Sequence, residues 1–234
     1  MVHIADIALD NRTAIVASIA ADPITLANTA EIAGADILEL RLDLLGVRTL
    51  ADARQIISQL RQATHLPCIA TNRLQNDGGQ WAGTEEDRIT LLAEVIPLVD
   101  AVDIELSTDR DRREQLVRNA REHNTTVIIS SHEFSHTPSQ KQMKDILNNS
   151  FEAGADIAKL AVMPQCLQDV LDLLQVTLDA TGPVSTISMG TMGSHTRIIA
   201  PCYGSVLTYG AVDQSVAPGQ LRVDQLRQAM GMIL

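Results

Sequence analysis

The stretch "DIAKLAVMP", residues 156–164, reads as a buried strand interrupted by one cation. Ile157, Ala158, Leu160, Ala161 and Val162 form the short, continuous apolar run expected of a strand covered on both faces, as in a parallel sheet. Lys159 sits in the middle of that run and is one of only three lysines in the chain, with Lys141 and Lys144. Desolvating an ammonium alone is costly, so it must be paired or lose its proton. The surroundings of this run therefore decide both the fold and the use of the lysine.

Runs of the same kind recur on either side. They are "AIVASIA" (14–20), "DILELRL" (36–42), "PCIATNR" (67–73), "AVDIELS" (101–107), "TVIISSH" (126–132), "VSTISMG" (184–190) and "GSVLTYG" (204–210). Most gaps hold a segment with helical spacing, such as "TLADARQIISQLRQA", "TEEDRITLLAEVIPLV", "DRREQLVRNAREHN" and "QCLQDVLDLLQVTLDA". Several of these open on a Thr or Asp suited to cap a helix, while "SHTRIIAPC" and "PGQLRVDQLRQAM", around the last run, promise shorter helices. Eight strand-helix units in 234 residues give a spacing of about 29, which suits parallel strands joined by helical crossovers with tight loops. Eight such units close into a (β/α)8 TIM barrel of the α/β class, here one domain over residues 1–234. An open doubly wound sheet would place a glycine-rich loop after its first strand, and "AADPIT" has none.

Composition limits the partners. Hydrophobic residues make up 45% and charged residues 20% of the chain, enough for a sizeable core. A formal net charge of −11 argues against nucleic acid and anionic membranes, though a local arginine cluster still suits a small anion. No run of about 18 apolar residues or basic, apolar leader is present, so the expectation is a cytoplasmic protein. Cys68, Cys166 and Cys202 lack metal-binding spacing and are expected to be reduced and buried in the core.

In a barrel of this type chemistry sits where the strands end. Glu39, Arg41 and Asp43 alternate with Leu40 and Leu42, so period two puts three charges on one side of the second run. The third run ends on Arg73, the fourth carries Asp103 and Glu105, the fifth ends at His132, and Arg197 follows the seventh. Six successive runs thus deliver an ionisable group at the same end. Burial and nearby guanidinium groups disfavour an ammonium, so Lys159 is expected to supply a neutral amine that condenses with a carbonyl. His132, one run away, is placed to move protons beside the resulting iminium. The pair implies carbon-acid chemistry on a carbonyl compound.

The motifs "ELRLD" (39–43), "SSHEF" (130–134), "AKLAVMP" (158–164), "ISMG" (187–190) with Arg197, and "APGQ" (217–220) together resemble type I 3-dehydroquinate dehydratase of the shikimate pathway, which serves aromatic amino acid biosynthesis. The resemblance implies a lyase acting on 3-dehydroquinate through a Schiff base on Lys159, with His132 as general acid and base and no external cofactor or metal. It assigns Glu39, Arg41 and Arg73 to the substrate hydroxyls and Arg197 with Gln220 to its carboxylate. Asp103 is grouped with the substrate-facing charges. The resemblance further suggests a homodimer, and the small residues, Pro and Gly of "GAVDQSVAPGQ" suggest a lid over the mouth.

Two positions depart from the family pattern. Asp77 stands where a glutamate often orients the histidine, and Val216 replaces a serine before "APGQ", which leaves Ser215 as the expected hydroxyl. A class I aldolase or transaldolase is the rival enzyme reading, but the chain lacks a glycine-rich phosphate loop after its last two runs. A barrel that merely binds a small acid is the other alternative.

Overall fold

Every apolar run becomes a strand of one sheet in the computed structural model, which describes residues 2–10 and 12–234. A hairpin that the sequence did not announce comes first, with β1 (His3–Ile4) antiparallel to β2 (Ile7–Ala8). The barrel strands follow as β3 (Ala14–Ile19), β4 (Ile37–Arg41), β5 (Cys68–Thr71), β6 (Ala101–Glu105), β7 (Thr126–Glu133), β8 (Ile157–Val162), β9 (Val184–Ser188) and β10 (Leu207–Ala211). All neighbours pair in parallel, in the order β10-β3-β4-β5-β6-β7-β8-β9. A parallel bridge between Val184 and Ser205 brings β9 against the residues leading into β10, so the ring is nearly closed.

The helices are α1 (Pro23–Ile32), α2 (Leu50–Ala63), α3 (Glu85–Val95), α4 (Arg110–Glu122), α5 (Gln140–Glu152), α6 (Leu167–Leu178), α7 (Gly190–Gly193), α8 (Thr196–Ile199) and α9 (Val223–Ile233). Thr49, Asp109 and Ser139 cap α2, α4 and α5, and Thr84 forms a reciprocal capping box with Asp87 at α3. The segment 194–202 is only a short helix followed by a 3-10 turn, and the last helix begins at Val223 because Pro218 and Gly219 belong to a loop.

Alternation along the strands divides the barrel interior into an apolar floor and a charged upper storey. Ile37, Ile69, Ala101, Ile128 and Ile157 pack together with Ile4 and Leu9 of the hairpin, which seals the lower end. Two residues further along the same strands stand Glu39, Thr71, Asp103, Ser130 and Lys159, all buried. The expected core cysteines divide differently: Cys68 is buried, with its thiol pushed up to about 12 by desolvation, whereas Cys166 and Cys202 are exposed because they begin α6 and lie in the 3-10 turn after α8.

Candidate active site

Lys159 resolves the oddity of its strand by pairing. Its Nζ donates to Asp103 Oδ2 at 2.9 Å and lies 3.7 Å from Glu39 Oε1 and 3.9 Å from the centre of the Tyr209 ring. The expectation of a lysine set among arginines is corrected: its immediate partners are two carboxylates and an aromatic face. Glu39 is held in turn, accepting from Ser18 Oγ on β3 and Thr71 Oγ1 on β5, each at 2.9 Å.

Arg73 joins this cluster from beyond β5. It donates to both oxygens of Asp103 at 3.1 and 2.8 Å and to Glu105 at 3.0 Å. Despite the desolvation of Asp103, these cations hold its carboxyl well below the ordinary range. Asp103 therefore lies beneath Lys159 and Arg73, fully buried, and is absent from the cavity wall where it was expected to face substrate. Asp43 also leaves the expected row. Strand β4 ends at Arg41, and the turning chain lets Arg41 bind both Asp43 oxygens, at 3.0 and 2.8 Å.

His132, on β7 beside the lysine strand, lines the same cavity. Burial, followed by the positive charge of Arg73, lowers its pKa to about 4, so the imidazole is neutral near pH 7. Asp77 Oδ1 lies 3.8 Å from His132 Nδ1, outside hydrogen-bond reach, and Nδ1 is buried without a partner among the described residues. Asp77 is tied from the other side by Ser107 Oγ at 3.0 Å. Phe134 stacks on the histidine, with ring centroids 6.1 Å apart, and closes over Gly78, whose positive φ and lack of a side chain admit that ring.

Arg197 is 2% exposed and has no acidic partner among the described residues. Its donors reach the carbonyls of Gly219 at 3.0 Å, Tyr209 at 3.1 Å and Pro218 at 3.2 Å, and desolvation lowers its pKa to about 10. The loop it grips lies across the mouth of the barrel, where Val216, Ala217, Pro218 and Gln220 line a cavity of about 110 Å³ shared with Lys159 and His132. Gly219 approaches the Gly190 backbone so closely that a Cβ there would overlap it. A buried guanidinium bonded only to carbonyls beside such a cavity is an unmet demand for an anion.

The family model for type I 3-dehydroquinase matches residues 13–234. The chain belongs to the type I 3-dehydroquinase family. It is 55% identical to the 3-dehydroquinate dehydratase of Methanococcoides burtonii over the whole of both chains, and 50% identical to that of Methanosarcina barkeri, again over both full lengths. Among solved structures it resembles the type I 3-dehydroquinate dehydratase of Clostridium difficile with covalently modified comenic acid. There the TM-score is 0.92 at 31% identity, over 99% of this chain and 96% of the other.

Most of the residues expected from the type I 3-dehydroquinase motifs converge on the cavity: Glu39, Arg41, Arg73, Asp77, His132, Lys159, Arg197 and Gln220 all line it. Ser215 does not. Its hydroxyl is exposed and donates to Ala217 O at 2.6 Å, while the apolar Val216 takes the wall position, so the turn directs the serine away. Three contributors were missed. Ser18 is both a cavity residue and a partner of Glu39, Tyr209 lies under Lys159, and Arg88 on α3 is buried against Glu105. Period two on "AIVASIA" places Ser18 inward, the one polar side chain of that run, and was the signal available for it.

Proposed function

We propose that this chain is a 3-dehydroquinate dehydratase that works through a Schiff base on Lys159. The observation that carries the reading is the placement of one paired lysine, one neutral histidine and one anion-seeking arginine around a single small cavity. The amine of Lys159 adds to the C3 ketone and the adduct loses water to give an iminium. Neutral His132 takes the C2 proton, and the electrons of that C–H bond move into the iminium to form an enamine. The enamine expels the C1 hydroxyl, which His132 protonates to water with the proton it took, a syn elimination. Hydrolysis of the iminium releases 3-dehydroshikimate and frees Lys159, so the sum is loss of one water.

Arg197 and Gln220 would hold the substrate carboxylate, with the loop around Pro218 as a lid, while Glu39, Arg41 and Arg73 would bind the hydroxyls. Asp77 would orient His132 once the site tightens around substrate, since apo contacts of this kind are often long. The electron sink is the iminium itself, so no cofactor or metal enters the reading. We further propose one catalytic barrel over residues 1–234, acting in the cytoplasm as a homodimer. Leu167, Leu171 and Leu178 form an exposed stripe on α6 that suits a second copy. No helix among the described residues is long and apolar enough to cross a membrane.

The test is mass spectrometry after mixing the protein with 3-dehydroquinate and reducing with borohydride. A reduced adduct on the Lys159 peptide, absent from Lys159→Ala, together with 3-dehydroshikimate formed before reduction, is the expected result. Turnover without an adduct would overturn the imine, and an adduct without turnover would return the site to aldolase-type or binding-only readings.

A further inference from the structure

Tyr209 is a cavity residue to which the reading above gives no task. It enters from β10, is 4% exposed, and places its ring face 3.9 Å from Lys159 Nζ. Its hydroxyl is buried and has no hydrogen-bond partner among the described residues. Desolvation, and after it the negative charge of Glu39 and Asp103, pushes the phenol well above its ordinary range, so it remains a neutral ring. Nothing in these contacts calls on the phenol as acid, base or anchor. The ring face, by contrast, touches the one nitrogen on which the proposed chemistry turns.

We propose that Tyr209 is a catalytic residue whose ring face keeps the Lys159 imine in its protonated form. The inference rests on the Schiff-base reading. An aromatic face attracts a cation and gains little from a neutral nitrogen. The iminium carries its positive charge at the same Nζ as the free ammonium, so a ring that contacts the ammonium remains beside the iminium. Protonation matters because a neutral imine is a poor electron sink for the C2 carbanion. The other charged groups facing this nitrogen are Asp103 from β6, Glu39 from β4, Arg73 from beyond β5 and His132 from β7. The two carboxylates favour the cation, and Arg73 disfavours it. The desolvated ring adds to the favourable side at contact distance without bringing a titrating charge.

This assigns the work to the ring rather than to the hydroxyl, and three substitutions separate them. Tyr209→Phe keeps the face, while Tyr209→Leu and Tyr209→Met remove it and fill the space with apolar atoms of different shape. Each full-length variant is compared with the wild type by kcat against pH and by the rate of borohydride trapping with 3-dehydroquinate. The phenylalanine variant should follow the wild type. The leucine and methionine variants should trap about tenfold more slowly at pH values above the wild-type alkaline limb, with that limb of kcat moved down by about one unit. Using two ring-free variants guards against one that fails to fold, which circular dichroism would reveal. Wild-type trapping rate and pH limb in a folded ring-free variant would overturn the ring's role while leaving the imine intact. So would a phenylalanine variant as impaired as leucine, since the hydroxyl would then be the active part. Turnover without any trapped adduct in the wild type would remove the imine and the proposal together, a failure distinct from either.

Discussion

Arg197 donates through Nε to the carbonyl of Gly219 at 3.0 Å, so the guanidinium that would bind the substrate carboxylate is also the clasp of the loop over the mouth. Pro218 accepts from the same side chain at 3.2 Å, and its carbonyl also receives Gly190 N at the same distance. One side chain thereby couples anion binding to the position of the loop. Replacing it with glutamine removes the charge but keeps a short donor. Arg197→Gln should raise KM for 3-dehydroquinate on the order of 100-fold, with a much smaller change in kcat, because a charge-assisted contact present in both ground and transition states is lost. Steady-state kinetics check the split, and faster limited proteolysis within 212–222 checks the clasp.

The environment of His132 makes stability depend on pH. Its folded pKa of about 4 is below the value near 6.5 expected for the unfolded chain. Between these values the unfolded state takes up a proton that the folded state refuses. The folded form is therefore fully favoured above about pH 6.5 and loses stability as pH falls toward 4, by on the order of 3 kcal/mol. His132→Gln should flatten that part of the curve. Urea midpoints measured from pH 7 to pH 4 would show it, and parallel curves for both proteins would refute the assignment.

Lys159 and Asp103 make a buried pair whose members are not equivalent. Lys159→Met removes the cation yet leaves Asp103 bound by Arg73 through both oxygens, so the fold should persist with activity abolished. Asp103→Asn removes the anion shared by Arg73 and Lys159 and leaves two buried cations short of a partner. That loss should cost about 3–5 kcal/mol of stability, as breaking a buried pair does. Denaturant titration of the two variants should rank asparagine far below methionine.

These same residues show what the sequence could and could not convey. Lys159, Glu39 and Asp103 were legible because a charge inside an apolar strand has few reasons to exist, and period two gives its direction. The eight strands were legible as short, continuous apolar runs, with segments of helical spacing marking the intervals. The hairpin at residues 3–8 was not, since two-residue strands are too short to show a period and their pairing is fixed by the floor they cover. Ser215 does not supply the hydroxyl expected of it because a turn, unlike a strand, gives no rule for side-chain direction. Arg88 was hidden by its own helix: "EEDRITLL" reads as a polar opening turn, and only the docking of α3 beneath the loops after β5 and β6 buries it.

That hidden arginine supplies the last prediction. Arg88 is 0% exposed and donates to Glu105 Oε2 at 2.7 Å, to Asn72 O at 3.1 Å and to Thr108 Oγ1 at 3.0 Å, while Glu85 takes its remaining edge at 2.7 and 2.8 Å. Glu105 is thus held between Arg88 and Arg73, yet desolvation still raises its carboxyl above the ordinary value. With Arg88→Met, Glu105 keeps Arg73 as its cationic partner and the Leu74 N–H against the same burial, and its proton affinity rises further. A protonated Glu105 would weaken its hold on Arg73 at the cavity wall. The single variant should lose about 3–5 kcal/mol, and kcat/KM should fall although Arg88 is not among the residues lining the cavity. Adding Glu105→Gln removes the uncompensated anion, so the double variant should be more stable than the sum of the two single losses allows. A double-mutant cycle in urea measures that coupling, expected at roughly 1–3 kcal/mol for groups sharing one network. Strict additivity would mean that Arg88 stabilises α3 without supporting Glu105, and the fall in kcat/KM would then have another cause.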